Sequence, residues 1–223
     1  MENNRCKTIT RSLDGTDPTT IKTNGTLWLW GSNQYGQIGN NISGYSPTSA
    51  ISGGSSWARI STGMYTTLAI SSTGALYAWG DNSYGVLGLN ANPFAHYSSP
   101  VQVGLDTNWN IVRTEGTFTT ALRTNGTLWS WGQGQNGQLG INNTENQTNP
   151  QQINGTWTVA AQGQKAGFGI KSNGTLWTWG YSNSGQLGNN TGGNYVNKSS
   201  PVQLGAATTW TAVASGSYLM AAI

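Results

Sequence analysis

A motif that recurs four times constrains this sequence more than any other feature. Each copy reads Asn/Thr-Gly-x-Leu-Trp/Tyr-x-Trp-Gly, and the copies occupy residues 24–31, 73–80, 125–132 and 173–180. After each copy come a Gly-x-Leu/Ile-Gly block, a variable loop, a proline, a tryptophan, another glycine and an apolar stretch. The last glycines of the four copies lie 49, 52 and 48 residues apart. A repeat of about 40–50 residues with four short strands is the signature of a β-propeller blade.

Each block of the repeat predicts a local structure. Asn-Gly between two strand-like stretches predicts a two-residue hairpin turn, because both turn residues need positive φ. Leu-Trp-x-Trp-Gly predicts a strand whose two aromatic residues share one face. The paired glycines of the next block predict a tight turn or a close backbone approach around a buried apolar plug. Because no stretch keeps a helical apolar period, we predict an all-β propeller with four-stranded blades near 21–70, 71–122, 123–170 and 171–223.

The first twenty residues differ in composition from the rest of the chain. Seven of the seventeen charged residues lie in residues 1–22, and the repeat blocks are missing from this segment. We therefore predict that residues 1–20 form a separate arm or leader and do not supply a blade.

The overall composition excludes several classes of function. Charged residues make up 8% of the chain, and the net charge of +3 is scattered, whereas nucleic-acid binding needs clustered Lys and Arg. One cysteine and one histidine leave no internal disulfide and no Cys-based zinc site. No stretch approaches the roughly 18 apolar residues of a membrane helix. We expect no cofactor, no metal, no nucleic-acid partner and no membrane insertion.

The repeat resembles that of the regulator of chromosome condensation family, including its Pro-x-x-Val segment at Pro100-Val101-Gln102-Val103. The resemblance implies a β-propeller, seven-bladed in the best-known members. It leaves function open, because the family includes a nucleotide-exchange factor, a β-lactamase inhibitor and many proteins of unknown role. The sequence lacks the His-Thr pair that eukaryotic members often carry after the blade glycine, which weakens the exchange-factor interpretation.

The count of four repeats has three explanations. Seven blades at this period need about 350 residues. The chain is a fragment, or it closes as a small propeller, or open arcs join between subunits. An unclosed arc exposes blade faces and strand edges, so we favour association or incompleteness over a closed monomer.

The variable loops are the predicted binding surface. They occupy equivalent places in successive repeats and are therefore expected to cluster on one rim. The alternative is that their aromatic residues only pack the loops down. The candidate binding residues are Tyr45, Phe94, His96, Tyr97, Tyr195 and Lys198.

The leading functional hypothesis is a non-catalytic structural or adhesive protein of a virion or cell exterior. It would bind protein or glycan, and it would self-associate. The first alternative is a regulatory binder, either an exchange factor or an enzyme inhibitor, with a cytoplasmic location as the alternative placement. A glycan-active enzyme would instead need Asp81, Glu115 or Glu145 to meet another carboxylate at catalytic distance.

Overall fold

The computed structural model describes residues 6–11, 18–44, 46–51, 56–189, 196–216 and 219–223. These residues form eighteen β-strands and one 3-10 turn at Ser83–Gly85. The strands are β1 (Cys6–Arg11), β2 (Pro18–Lys22), β3 (Leu27–Gly31), β4 (Ser46–Ile51), β5 (Trp57–Thr62), β6 (Thr66–Ser71), β7 (Leu76–Asp81), β8 (His96–Gln102), β9 (Trp109–Glu115), β10 (Phe118–Arg123), β11 (Leu128–Gly132), β12 (Gln147–Ile153), β13 (Trp157–Gln162), β14 (Ala166–Lys171), β15 (Leu176–Gly180), β16 (Lys198–Gln203), β17 (Val213–Ser215) and β18 (Met220–Ala222). The predicted all-β fold is confirmed.

The strands pair in chain order into antiparallel sheets. Sheets 1 to 4 each have four strands, β1–β4, β5–β8, β9–β12 and β13–β16, and sheet 5 pairs β17 with β18. The four Leu-Trp/Tyr-x-Trp-Gly segments are the third strands of sheets 1 to 4. A four-stranded meander in every complete sheet is the architecture of a propeller blade.

The sheets are offset from the sequence repeats. One repeat supplies the third and fourth strands of one sheet, crosses the variable linker, and then supplies the first two strands of the next sheet. The boundaries inferred from the repeat therefore fall in the middle of sheets. Sheet 2, for example, spans residues 57–102 and not 71–122.

The N-terminal segment differs from the predicted arm. The strands β1 and β2 lie largely within residues 1–20, pair with each other, and extend to β3 through Thr20 opposite Trp28. The physical reason is that the first two strands of every sheet lack the Trp-x-Trp motif, so its absence did not argue against strands. Their Thr and Ile residues favour extended backbone.

The hydrophobic core lies between successive sheets. The first strands of the sheets contact one another in chain order, from β1 to β5, β9, β13 and β17. A separate apolar cluster fills each gap between neighbouring sheets, and the first three gaps each contain two buried tryptophans. Those pairs are Trp57 with Trp79, Trp109 with Trp131, and Trp157 with Trp179.

The Gly-x-Leu/Ile-Gly block holds each sheet against the next one. We call the four blocks, at 36–39, 85–88, 137–140 and 185–188, the clamps. The apolar plugs Ile38, Leu87 and Leu139 are at most 2% exposed, as predicted. At Gly88 φ is +73°, and a Cβ there would lie 2.7 Å from Trp131 Nε1 in the next sheet. Only glycine permits this backbone and this approach together.

Candidate protein-interaction rim

The variable connections of all four complete sheets lie at one end of the fold. In an antiparallel meander the third-to-fourth-strand connection and the first-to-second-strand turn share one end. The Asn-Gly and Thr-Gly hairpins and the links to the next sheet occupy the other end. We call the end with the variable connections the loop rim.

Three aromatic rings from two sheets meet on this rim. The Tyr35 ring centroid lies 4.7 Å from that of Tyr65 and 4.9 Å from that of His96. Tyr35 belongs to the β3–β4 connection of sheet 1, whereas Tyr65 and His96 belong to sheet 2. The Gly36 backbone brings them together, since a Cβ at this position would lie 2.6 Å from Ser98 Cα at the start of sheet 2's outer strand.

The imidazole of His96 is also positioned by Asp81, a residue of its own sheet. His96 is paired with Asp81 across β7 and β8, and its Nδ1 lies 3.1 Å from Asp81 Oδ1. The hydroxyl of Ser83 donates to the same carboxylate oxygen at 3.0 Å. Asp81 therefore orients the ring, while about half of the His96 side chain stays exposed.

The remaining predicted binding residues do not form one group. Phe94 is 82% exposed on the β7–β8 loop, and its backbone N–H donates to Asn92 Oδ1 in a local turn. Tyr97 is half-buried and packs against the apolar clusters on both faces of sheet 2, so it serves the core. Lys198 begins the outer strand of sheet 4, two sheets away from Phe94. Tyr45 and Tyr195 lie outside the described residues.

Sequence reasoning missed three aromatic rim residues: Tyr35, Tyr65 and Tyr84. Tyr84 lies in the 3-10 turn with φ +61° and, like Tyr65, is about 40% exposed. A signal was present, because Tyr35 and Tyr84 stand where the later repeats carry Asn136 and Ser184. We use the name aromatic patch for the rim aromatic residues of sheets 1 and 2, which are the contacting Tyr35, Tyr65 and His96 together with the exposed Tyr84 and Phe94 of the β7–β8 connection.

The carboxylates of the described residues take separate positions. Asp106 pairs with Arg123 at the hairpin end, and Glu145 lies in an exposed part of the β11–β12 connection. Burial raises the pKa of Glu115 to about 7, and its Oε1 has no hydrogen-bond partner within the described part of the chain. The same part shows no group of three His, Cys, Asp or Glu side chains suited to a metal ion. None of its helices has the length and apolarity that a bilayer crossing requires.

Solved structures with the same fold include two larger propellers. Human WBSCR16 superimposes with a TM-score of 0.84 at 21% identity, over 98% of this chain and 59% of that one. Prp20p from Saccharomyces cerevisiae superimposes with a TM-score of 0.83 at 16% identity, over 100% of this chain and 56% of that one. The chain thus spans less than two thirds of either protein. Comparison with curated protein sequences finds no match.

A family model matches most of the chain. The model of the regulator of chromosome condensation (RCC1) repeat matches residues 24–70, 73–115, 125–164 and 173–223. These matches follow the phase of the sequence repeat and cross from each sheet into the next one. The matched residues include all four Leu-Trp/Tyr-x-Trp-Gly strands and all four clamps. The chain therefore belongs to the regulator of chromosome condensation (RCC1) repeat family.

Proposed function

We propose that this chain is a non-catalytic protein-interaction propeller that binds its partner through the aromatic patch of the loop rim. The observation that carries the proposal is the meeting of Tyr35, Tyr65 and His96 across the gap between two sheets. Aromatic residues are enriched where proteins bind each other, since they bury a large area at little entropic cost. Phe94 and Tyr84 are two further exposed aromatic residues of the same rim, on the β7–β8 connection.

The finer role is that of a structural component outside the cell or on a virion, which self-associates through this patch. A chain with 8% charged residues and abundant Gly, Asn and Thr supports that placement. A regulatory role is the second candidate. It is favoured by the fold shared with Prp20p, a protein described by its binding to Gsp1p and histones.

Site-specific photo-crosslinking separates these roles. Phe94 is replaced by p-benzoylphenylalanine, and a matched control carries the same group at Leu105, which is 93% exposed at the opposite end. A structural role predicts crosslinks from position 94 to further copies of this chain. A regulatory role predicts a 1:1 adduct with one soluble protein. Equal labelling from both positions, or none from position 94, would contradict a binding patch on this rim.

A self-association assay tests the same patch without a crosslinker. Light scattering over a range of concentrations is expected to show multimers of the wild-type chain. The combined variant Tyr84→Asn and Phe94→Ser should shift the mass toward the monomer, while Leu105→Ser should not. A wild-type chain that stays monomeric at every concentration refutes the structural role and leaves the regulatory one.

A further inference from the structure

The chain contains five Asn-Gly pairs, and the structure places them in two different environments. An Asn-Gly pair can modify itself, because glycine has no Cβ to hinder attack of its backbone nitrogen on the asparagine side chain. The five asparagines are Asn24, Asn125 and Asn173 at the hairpins, Asn136 directly before the clamp of sheet 3, and Asn154 in the link from sheet 3 to sheet 4.

In four of the pairs the glycine nitrogen is held in a turn. The N–H groups of Gly25, Gly126, Gly137 and Gly174 donate to the carbonyl oxygen three residues earlier, at 2.7 to 3.0 Å. The N–H of Gly155 donates to no backbone oxygen within the described part of the chain. Its φ of +122° also differs from the +75° to +82° of the other four glycines. Because a bonded nitrogen must lose its partner before it attacks, the four turns protect their asparagines.

The hairpin asparagines are protected at the side chain as well. The Oδ1 atom of Asn125 accepts from the backbone N–H and from the hydroxyl of Thr127, at 3.1 and 2.8 Å. Asn24 and Asn173 accept in the same way from the threonine two residues later. Local bonds of this kind fix the side chain in its turn. Asn154 is exposed, and its side chain has no hydrogen-bond partner among the residues that the structure describes.

We propose that Asn154 is a site of spontaneous deamidation, at which the side-chain amide becomes a carboxylate through a succinimide. The Gly155 nitrogen attacks Cγ of Asn154 and forms the new C–N bond. The side-chain nitrogen leaves as ammonia and takes up the proton that the Gly155 nitrogen loses. Water then opens the five-membered imide at either carbonyl, which gives aspartate or isoaspartate. The sequence of steps consumes one water and involves no change of oxidation state.

The new carboxylate forms close to a lysine. A Cβ built on Gly155 lies 2.9 Å from Lys171 Cε and 3.4 Å from Lys171 Nζ, and Lys171 forms no salt bridge with any described residue. In the link from sheet 2 to sheet 3, Asp106 pairs with Arg123, which lies over a tryptophan as Lys171 does. Deamidation of Asn154 therefore gives the later link the carboxylate that the earlier link already has. The site lies at the end opposite the loop rim and is independent of the aromatic patch.

Peptide mapping of the folded 223-residue chain tests the site. Trypsin cleaves after Lys and Arg and therefore releases residues 124–165 as one peptide, which contains Asn154 and two internal controls, Asn125 and Asn136. After incubation at mildly alkaline pH, with an unincubated sample digested in parallel, fragment-ion mass spectrometry measures conversion at each position. Asn154 is expected to convert at least about tenfold faster than either control, since each bond that must break raises the barrier. Equal rates, or an unmodified Asn154, overturn the inference.

The unfolded chain is the matched control for sequence effects, because Asn125 and Asn154 both precede Gly-Thr. In concentrated urea the protecting bonds are lost, so the rates of these two asparagines should converge. Rates that keep their ratio would assign the preference to the wider sequence and refute protection by the fold.

Two glutamine variants locate the modification on the chain. Deamidation lowers the net charge of +3 by one, so ion-exchange chromatography resolves the modified chain as a more acidic species. Asn154→Gln should abolish this species, because a glutamine would have to close a larger ring, whereas Asn125→Gln should leave it unchanged. Persistence of the acidic species in Asn154→Gln would place the modification elsewhere and overturn the inference.

Discussion

Replacement of Gly88 by alanine tests whether the clamp depends on close approach as well as on backbone conformation. The φ of +73° costs an L-residue about 1–2 kcal/mol. The added Cβ would also lie 2.7 Å from Trp131 Nε1 and 2.9 Å from Cε2, and overpacking of this kind costs about 1–3 kcal/mol. The expected loss is therefore about 2–5 kcal/mol in the free energy of unfolding.

The control for this experiment is Gly104→Ala. Gly104 has a φ of +62°, but no atom lies within 4 Å of its Cβ position, so only the backbone cost of about 1–2 kcal/mol applies. Urea unfolding followed by circular dichroism measures both variants, and the thermal midpoint should fall about 2–4 °C for each kcal/mol lost. Equal losses of unfolding free energy in the two variants would show that Trp131 moves aside at little cost. The clamp would then require glycine at position 88 only for its backbone conformation.

Two further perturbations address charge. Glu115, whose pKa is raised to about 7 by burial, keeps its proton in the folded state between about pH 4.5 and 7 while the unfolded chain releases it, so stability falls as the pH rises through that window. Glu115→Gln should remove this fall in stability. After allowance for partial solvent exposure, it should stabilise the protein by about 1 kcal/mol at pH 8 and change little near pH 4. A thermal-unfolding profile with the same pH dependence as the wild type would contradict this expectation. Lys171 Nζ lies 3.6 Å from the ring centroid of Trp177, so Lys171→Met should lower the free energy of unfolding by about 0.5–1 kcal/mol. In the second repeat, Ser71→Lys combined with Tyr77→Trp should create a favourable coupling of similar size, which a double-mutant cycle measures.

Much of the fold was predictable because the repeat carries its own turn chemistry. Gly25, Gly74, Gly126 and Gly174 all have positive φ at the predicted hairpins. The predicted two-residue turn type is wrong, because the Asn or Thr before each of these glycines does not have positive φ. The Gly25 N–H donates to Lys22 O, so Thr23 and Asn24 are the central residues of the turn and the glycine follows them. The clamp glycines and their apolar plugs also behave as their spacing predicts. These features are local, so a few neighbouring residues determine them.

The predictions that failed concern the pairing of strands and loops that lie far apart in the sequence. The phase of a repeat does not reveal where a sheet begins, so the offset between repeats and sheets had no local signal. The strands β1 and β2 carry no tryptophan, and only the pairing of β1 with β2 and of β2 with β3 defines them. Two of the five residues of the aromatic patch, Phe94 and His96, were predicted, because the sequence places both in a segment that varies between repeats. Their neighbour Tyr35 comes from another sheet, and only the clamp of sheet 1 brings it near.

The second repeat shows how scaffold positions differ from recognition positions. In the other repeats a Lys or Arg lies over the first tryptophan of the third strand. The indole Nε1 of that tryptophan donates to a threonine hydroxyl. That hydroxyl in turn donates to the side-chain oxygen of the hairpin asparagine.

The second repeat replaces all four groups together, with Ser71, Thr73, Ala75 and Tyr77. Its Ser71 Oγ instead lies 2.8 Å from Thr73 Oγ1 and accepts from the Ala75 N–H, so the turn stays satisfied by a different network. Positions that must agree with one another change as a set. The rim position before the clamp follows a different rule. Tyr35 and Asn136 both donate their backbone N–H to the side-chain oxygen of the clamp glutamine, Gln37 or Gln138. Because that bond uses only the backbone, the clamp does not require the Tyr35 ring, as expected of a residue that serves a partner and not the packing of the sheets.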